Sequence, residues 1–222
     1  MFFSNINEAP KDPILGLSDD FNNDKNPNKV NLAVGVYQDD NGKTTTFKSV
    51  LEAEKILLDM NITKSYKPID GDKEFLIKSL GMITGEEILE NKQIFQIGLN
   101  TPGGTGALKL ISEFLKKFSP RSSVWFSSPT WANHKPIFES SGFKSFEYEY
   151  FDKSKNTIDF EAMINSVKTI PSGDIIVLHG CCHNPTGCDL NDEQWKELAV
   201  VIKKRNIIPI CDFAYQGLGD GI

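Results

Sequence analysis

The sequence predicts an α/β fold with a mainly parallel β-sheet, on three observations. Short apolar runs of strand length alternate with segments whose apolar residues recur at helical spacing. Residues 175–178 are continuously apolar, as a strand covered on both faces requires. A glycine-rich turn, Thr101-Pro102-Gly103-Gly104-Thr105-Gly106, leads directly from a strand-like run into a helical one.

The first thirty residues carry Pro10, Pro13 and Pro27 among many Asn and Asp, and read as loop. They are a frayed terminus or an arm docking through Ile14, Leu15 and Leu17. Val50, Ala53, Leu57 and Met60 define one helix face, and Phe75, Leu76, Leu80 and Ile83 a second. Residues 94–99 read as a short strand. Leu108, Ile111, Leu115 and Phe118 mark the helix after the glycines, which Pro120 stops. Residues 124–126 read as a buried strand. Residues 146–151 alternate aromatic and acidic side chains, as a strand with one wet face does. Phe160, Met163, Ile164 and Val167 give a further helix, and residues 175–178 the buried strand. Asn191 followed by Gln194 is a capping-box pair opening a helix with Trp195, Leu198 and Ile202 on one side. Residues 207–211 form the last strand. Neither an internal repeat nor a low-complexity segment interrupts this order.

The 222 residues suffice for one hydrophobic core, or one domain and part of another. Twenty-four Lys and Arg stand against thirty Asp and Glu, a net charge of −6, which argues against nucleic acid or an anionic membrane surface as partner. Arg121 and Arg205 are the two arginines. Ser4, Asn5, Asn7 and Glu8 follow Met1, Phe2 and Phe3 at once, so no secretory leader is expected. No apolar run approaches the roughly 18–20 residues of a membrane span. Cys181, Cys182 and Cys188 crowd together and Cys211 stands apart, a poor disulfide framework. The expectation is a cytoplasmic protein with reduced thiols.

Ligands of parallel α/β sheets collect at the carboxyl ends of the strands. The Gly103-Gly104-Thr105 turn opens a helix whose N–H groups and dipole suit a phosphate. Residues 124–126 are followed by Pro129, Thr130, Trp131 and His134, residues 175–178 by His179, Gly180 and Asn184-Pro185-Thr186-Gly187, and residues 207–211 by Asp212 and Tyr215. Each feature alone has a plain structural account. The glycines suit tight packing, Trp131 a half-buried core position, Asp212 a helix cap, Asn184 a turn, and His134 and His179 satisfied structural histidines. Their joint placement on one edge gives a phosphate cradle, a flat aromatic, an amide, a carboxylate and a phenol together.

Five strings sharpen this: Asn31-Leu-Ala-Val-Gly-Val-Tyr37, the run Thr101–Leu108, residues 127–135, the His179–Gly187 run and residues 211–217. In type and order they resemble the class I pyridoxal-phosphate-dependent aminotransferases, in the aspartate and aromatic amino-acid branch. The resemblance implies the large domain of fold type I, a three-layer α/β/α arrangement, here incomplete and spanning residues 48–222. Residues 1–47 correspond to an N-terminal arm and part of the small domain. It implies pyridoxal 5'-phosphate as cofactor, amino acids and 2-oxo acids as substrates, and a homodimer.

Carried onto this sequence, the resemblance gives Gly103, Gly104 and Thr105 the cofactor phosphate. Trp131 stacks on the pyridine ring. Asp212 pairs with the protonated ring nitrogen and keeps the ring electron-withdrawing. Asn184 and Tyr215 bond the ring's 3-oxygen, and His134 orients Asp212. Tyr66 reaches the phosphate in the partner subunit and lies near substrate, as do Trp131 and Asn184. Gly35 touches the substrate carboxylate. The family's cofactor-binding lysine and the arginines that clamp the substrate carboxylates lie beyond residue 217, and Lys203, Lys204, Arg121 and Arg205 match none of them. These 222 residues alone are therefore expected to be inactive. Two family strands that lie between residues 94–99 and 207–211 also fall beyond, so both edges are expected to be unpaired.

Three alternatives remain. A truncated, nonfunctional or merely cofactor-binding remnant keeps the cradle without turnover. A dinucleotide-binding oxidoreductase needs an acidic residue after residues 124–126, where Ser127 and Ser128 stand. A metal site at Cys181, Cys182 and His183 suffers from adjacent side chains pointing to opposite faces of an extended segment.

Overall fold

A computed structural model of the chain describes residues 15–31, 35–91 and 93–221. The chain forms two compact units, Met1–Lys64 and Ser65–Ile222. Ile14, part of the expected arm, and Leu32, Ala33 and Val34, part of the first family string, lie outside the described residues.

The first unit contains α1 (Leu15–Asn23) and α2 (Lys48–Asp59). The sequence suggested loop where α1 stands. Its last carbonyls are met by Lys29, whose ammonium donates to the Phe21 and Asp24 oxygens and lies 4.4 Å over the Phe21 ring. A cation at a helix C-terminus satisfies carbonyls that have no intrahelical partner, and this contact is invisible to local composition. α2 covers the expected face, with none of its residues buried.

In the second unit, α3 (Lys73–Thr84) starts at Asp72, whose carboxylate accepts from the Glu74 and Phe75 N–H groups. α4 (Glu86–Glu90) follows. Residues 94–99, expected as a strand, form no strand and pair with no strand among the described residues. Side-chain tethers hold them instead: Gln96 Nε2 donates to the Ile88 carbonyl, and a Cβ on Gly98 would sit 3.1 Å from Leu76. An apolar run becomes a strand only with a ladder partner, and Phe95 stays 89% exposed.

The rest alternates as expected: α5 (Gly103–Phe118), β1 (Val124–Ser128), α6 (His134–Ser140), β2 (Ser145–Glu149), β3 (Phe151–Asp152), β4 (Thr157–Ile158), α7 (Phe160–Val167), β5 (Ile175–His179), α8 (Asp192–Arg205) and β6 (Ile208–Asp212). Strands β2-β1-β5-β6 form one parallel sheet. The run at 146–151 divides at Tyr150. β2 joins the main sheet, and β3 pairs antiparallel with β4. The capping box of α8 closes both ways, Asn191 N–H to Gln194 Oε1 and Gln194 N–H to Asn191 Oδ1, each at 2.9 Å.

β5 shows why its sequence is unbroken in hydrophobicity. Ile176 and Leu178 join Met163, Ile164, Val167, Leu198 and Ile202 of α7 and α8 on one face. Ile175 and Val177 join Leu108, Leu115 and Phe138 of α5 and α6 on the other. The result is three layers, α/β/α, with a mainly parallel sheet. Burying each such side chain is worth about 1.5–3 kcal/mol. β6 pairs with β5 alone among the described residues.

Candidate active site

A parallel sheet delivers every strand's carboxyl end to the same edge. His179 at the end of β5 and Asp212 at the end of β6 are register partners, and the Gly180 N–H donates to the Asp212 carbonyl at 2.8 Å. The loops after β1, β5 and β6 meet the N-terminus of α5 around a cleft of about 230 Å³. α5 contributes Gly104, Thr105 and Leu108, and the segment after β1 contributes Trp131. The β5 loop adds His179, Cys181 and Asn184, and the β6 loop adds Asp212, Ala214 and Tyr215.

α5 begins without a side-chain cap, its N-cap position being Pro102. Its first-turn N–H groups therefore have no side-chain acceptor, and they carry the positive end of a 16-residue helix. Gly103 has φ +72°, and neither Gly103 nor Gly104 has a protein atom within 4 Å of the place a Cβ would take. The Gly103 N–H is taken by the Thr101 carbonyl at 2.8 Å, and the helix N-terminus beyond it, with open space at Gly104, is suited to an anion.

Asp212 lines the same cleft. Its carboxyl is held below the usual carboxylate range, first by the hydrogen bond from His134, so it is ionised at neutral pH. His134 is fully buried, with Nε2 3.0 Å from Asp212 Oδ2 and Nδ1 2.8 Å from Thr130 Oγ1. Thr130 Oγ1 lies 3.1 Å from His179 Nε2, and His179 Nδ1 faces the Asn184 backbone N–H at 3.3 Å. The direction of this relay follows from its ends. A backbone N–H only donates, so His179 Nδ1 accepts and its proton sits on Nε2. That proton goes to Thr130, whose hydroxyl donates to His134 Nδ1, and His134 Nε2–H donates to Asp212. Every member of the relay has a partner.

Burial pushes His179 down to about 4, helped by His134, and burial pushes His183 down to about 3, helped by His179. In the unfolded chain both titrate near the ordinary 6.5. Below that value the unfolded state binds protons that the folded state refuses, so stability falls as pH drops from 6.5 toward the folded values. The slope is up to about 1.4 kcal/mol per pH unit for each histidine. Thermal midpoints measured from about pH 7 to about pH 5 are expected to fall steadily; a flat profile overturns this.

Of the residues expected from sequence, Gly104, Thr105, Trp131, Asn184, Asp212 and Tyr215 line one cleft. Gly103 opens α5 beside it, and His134 lies behind Asp212. Tyr66 is fully exposed, and Gly35 is an exposed residue of the other unit. Sequence reasoning missed Leu108, Cys181 and Ala214 as lining residues. Cys181 and Ala214 stand two residues past the ends of their strands, and that position was the available signal. Burial pushes the Cys181 thiol up, so it is not a thiolate.

Residues 27–222 match the family model for aminotransferases of class I and II. The chain belongs to this family. It is 45% identical to aspartate aminotransferase of Escherichia coli over 99% of its own length and 56% of that protein. It is 40% identical to aromatic-amino-acid aminotransferase of Pseudomonas aeruginosa, over 99% of its length and 55% of the other. The solved aromatic-amino-acid aminotransferase of Burkholderia pseudomallei, covalently bound to pyridoxal phosphate, superposes with a TM-score of 0.91 at 39% identity, covering 100% of this chain and 55% of that one. The chain thus spans a little over half the length of the proteins it matches. The family is one of pyridoxal-phosphate-dependent transferases, and its fold is the one observed. No helix among the described residues is long and apolar enough to cross a membrane.

The cleft fits this cofactor by its own donor set. An uncapped helix N-terminus faces open space where a phosphate would sit, Trp131 offers a flat aromatic wall, and Asp212 offers an ionised carboxylate backed by a buried relay.

Proposed function

We propose that the protein carrying this chain exchanges an amino group between aspartate or glutamate, and aromatic amino acids as further candidates, and 2-oxo acids such as 2-oxoglutarate. The observation that carries the reading is the ionised Asp212, lining one cleft with the α5 cradle. Bound pyridoxal 5'-phosphate supplies an electron-withdrawing ring. The Gly103, Gly104 and Thr105 backbone and the Thr105 hydroxyl hold its phosphate, and Trp131 covers one ring face. Asp212 accepts the hydrogen bond of the ring nitrogen and holds the proton there. Asn184 and Tyr215 donate to the 3-oxygen, and with Trp131 they border the substrate. His134 keeps Asp212 aimed and ionised.

Gly35 is the proposed contact of the substrate carboxylate. Tyr66, free of its own unit's core, is proposed to reach the phosphate of a second subunit in a homodimer. Residues 1–47 are assigned to an arm and part of a small domain, and residues 48–222 to the large domain of a cytoplasmic enzyme.

Incubation with pyridoxal phosphate, aspartate and 2-oxoglutarate is expected to yield glutamate and oxaloacetate. Absence of turnover by the holoenzyme overturns the reading. One observation favours a narrower role for residues 1–222 taken alone. No residue lining the cleft is a lysine, so the gathered side chains offer no amine for covalent capture or proton transfer. A polypeptide of these residues alone is expected to show no turnover and no borohydride-fixed adduct in the cleft; turnover or a fixed adduct there contradicts that narrower role.

A further inference from the structure

His183 has no place in the relay that ends on Asp212, yet it is 98% buried, its exposure being 2%. The three histidines of the chain, His134, His179 and His183, form one cluster. The His183 ring stacks on that of Tyr150 at 4.1 Å and 14°, and packs against that of His179 at 4.1 Å with the two planes tilted by 39°. Its orientation is fixed from every side. Nε2 is 2.9 Å from Ser127 Oγ, Nδ1 is 2.8 Å from Thr186 Oγ1, and the backbone N–H donates to Asp189 Oδ1 at 2.8 Å. Tyr150 is itself tied down, donating its hydroxyl proton to the Cys188 carbonyl at 2.6 Å.

His179 by contrast has two tethers, the Asn184 N–H at 3.3 Å and Thr130 Oγ1 at 3.1 Å, both at the long end of hydrogen-bond range. A partly exposed imidazole on two long bonds needs a further constraint to keep its Nε2 on Thr130. Close packing on His183 supplies it, because a ring held against a fixed neighbour resists rotation about its own bonds.

We propose that His183 is a positioning residue for the cofactor site: stacked on Tyr150 and packed against His179, it holds the His179 ring in the orientation that sends one fixed line of hydrogen bonds through Thr130 and His134 to Asp212. This rests on the reading of Asp212 as the partner of the cofactor ring nitrogen. His183 touches neither cofactor nor substrate in that reading and acts through His179.

The test compares His183→Phe, which keeps a flat ring, with His183→Leu, which fills volume without one. The first readout is the ring-nitrogen NMR spectrum of ¹⁵N-histidine-labelled protein without cofactor. Wild type and His183→Phe are expected to show His134 and His179 as single neutral forms protonated on Nε2, and His183→Leu to show a mixture at His179. The second readout is affinity for pyridoxal phosphate, expected to weaken about threefold to tenfold in His183→Leu, the range one aromatic contact supports. A His183→Leu protein with wild-type His134 and His179 signals and wild-type affinity overturns the proposal. So does a His183→Phe protein as disturbed as His183→Leu. If His183→Leu does not fold, His183→Gln, which can keep a polar contact to Ser127 but has no ring, is expected to give the same mixture at His179; an unchanged spectrum overturns the proposal. Wild-type protein with no affinity for pyridoxal phosphate overturns the reading of the cleft, while the spectra still decide the role of His183.

Discussion

Replacing Asp212 by Asn is expected to lower kcat of the holoenzyme by about a thousandfold. The substitution keeps shape and keeps an oxygen to accept the His134 Nε2–H, now 3.0 Å from Asp212 Oδ2, so packing behind the cleft is preserved and the charge alone is lost. At a separation near 4 Å and an effective dielectric constant near 20, a carboxylate stabilises a cationic ring by about 4 kcal/mol. At about 1.4 kcal/mol per decade, that is roughly three orders of magnitude in rate. The side chain of Asp212 is 20% exposed, so little solvent screening reduces this figure. Cofactor affinity is expected to fall with it, because the same ion pair holds the ring when no substrate is present. Steady-state kinetics at saturating cofactor separate the two effects. A variant within about tenfold of wild type in kcat removes the Asp212 charge from the mechanism.

The sequence reached far into this fold wherever a signal was periodic. Helices α2, α3, α5, α7 and α8 cover the segments with apolar residues at three- and four-residue spacing, and the Asn191–Gln194 pair formed the box its spacing implied. What it did not reveal depended on partners distant along the chain. Residues 94–99 have strand composition but no ladder partner among the described residues. The end of α1 is met by Lys29, six residues past its last residue, and the strand-like run at 146–151 divides at Tyr150 between two sheets. The site divides the same way. Asp212 and His134 were legible as a pair through the family strings, 78 residues apart in sequence. The route between them and Asn184 was not, since Thr130 and His179 meet across 49 residues and their order is set by which atoms only donate. His183 was weighed in the sequence as a poor metal ligand; its burial against His179 gives it a different significance.

Gly71→Ala is expected to be strongly destabilising, because it adds two independent penalties on the segment that leads into the cradle. Gly71 has φ +105°, a conformation that costs an L-residue about 1–2 kcal/mol. A Cβ there would lie 2.4 Å from the Cβ of Asn100, a distance real side chains do not tolerate. Asn100 cannot retreat cheaply, because its backbone N–H donates to the Asp70 carbonyl at 2.9 Å and the Gly71 N–H donates to Pro68 at 3.0 Å. The two segments must separate, at the roughly 1–3 kcal/mol of an overpacked contact. The total is about 3 kcal/mol, or roughly 6–12 °C in thermal midpoint for a cooperative unit of this size. Asn100 immediately precedes Thr101 and Pro102, so separation also displaces the first turn of α5, and affinity for pyridoxal phosphate is expected to weaken in the protein that remains folded. Asn100→Gly in the Gly71→Ala background removes the clash and leaves the dihedral strain. That double variant is expected to regain about half of the lost midpoint together with the lost affinity. If it regains neither, the approach of Gly71 to Asn100 does not hold the cradle in place.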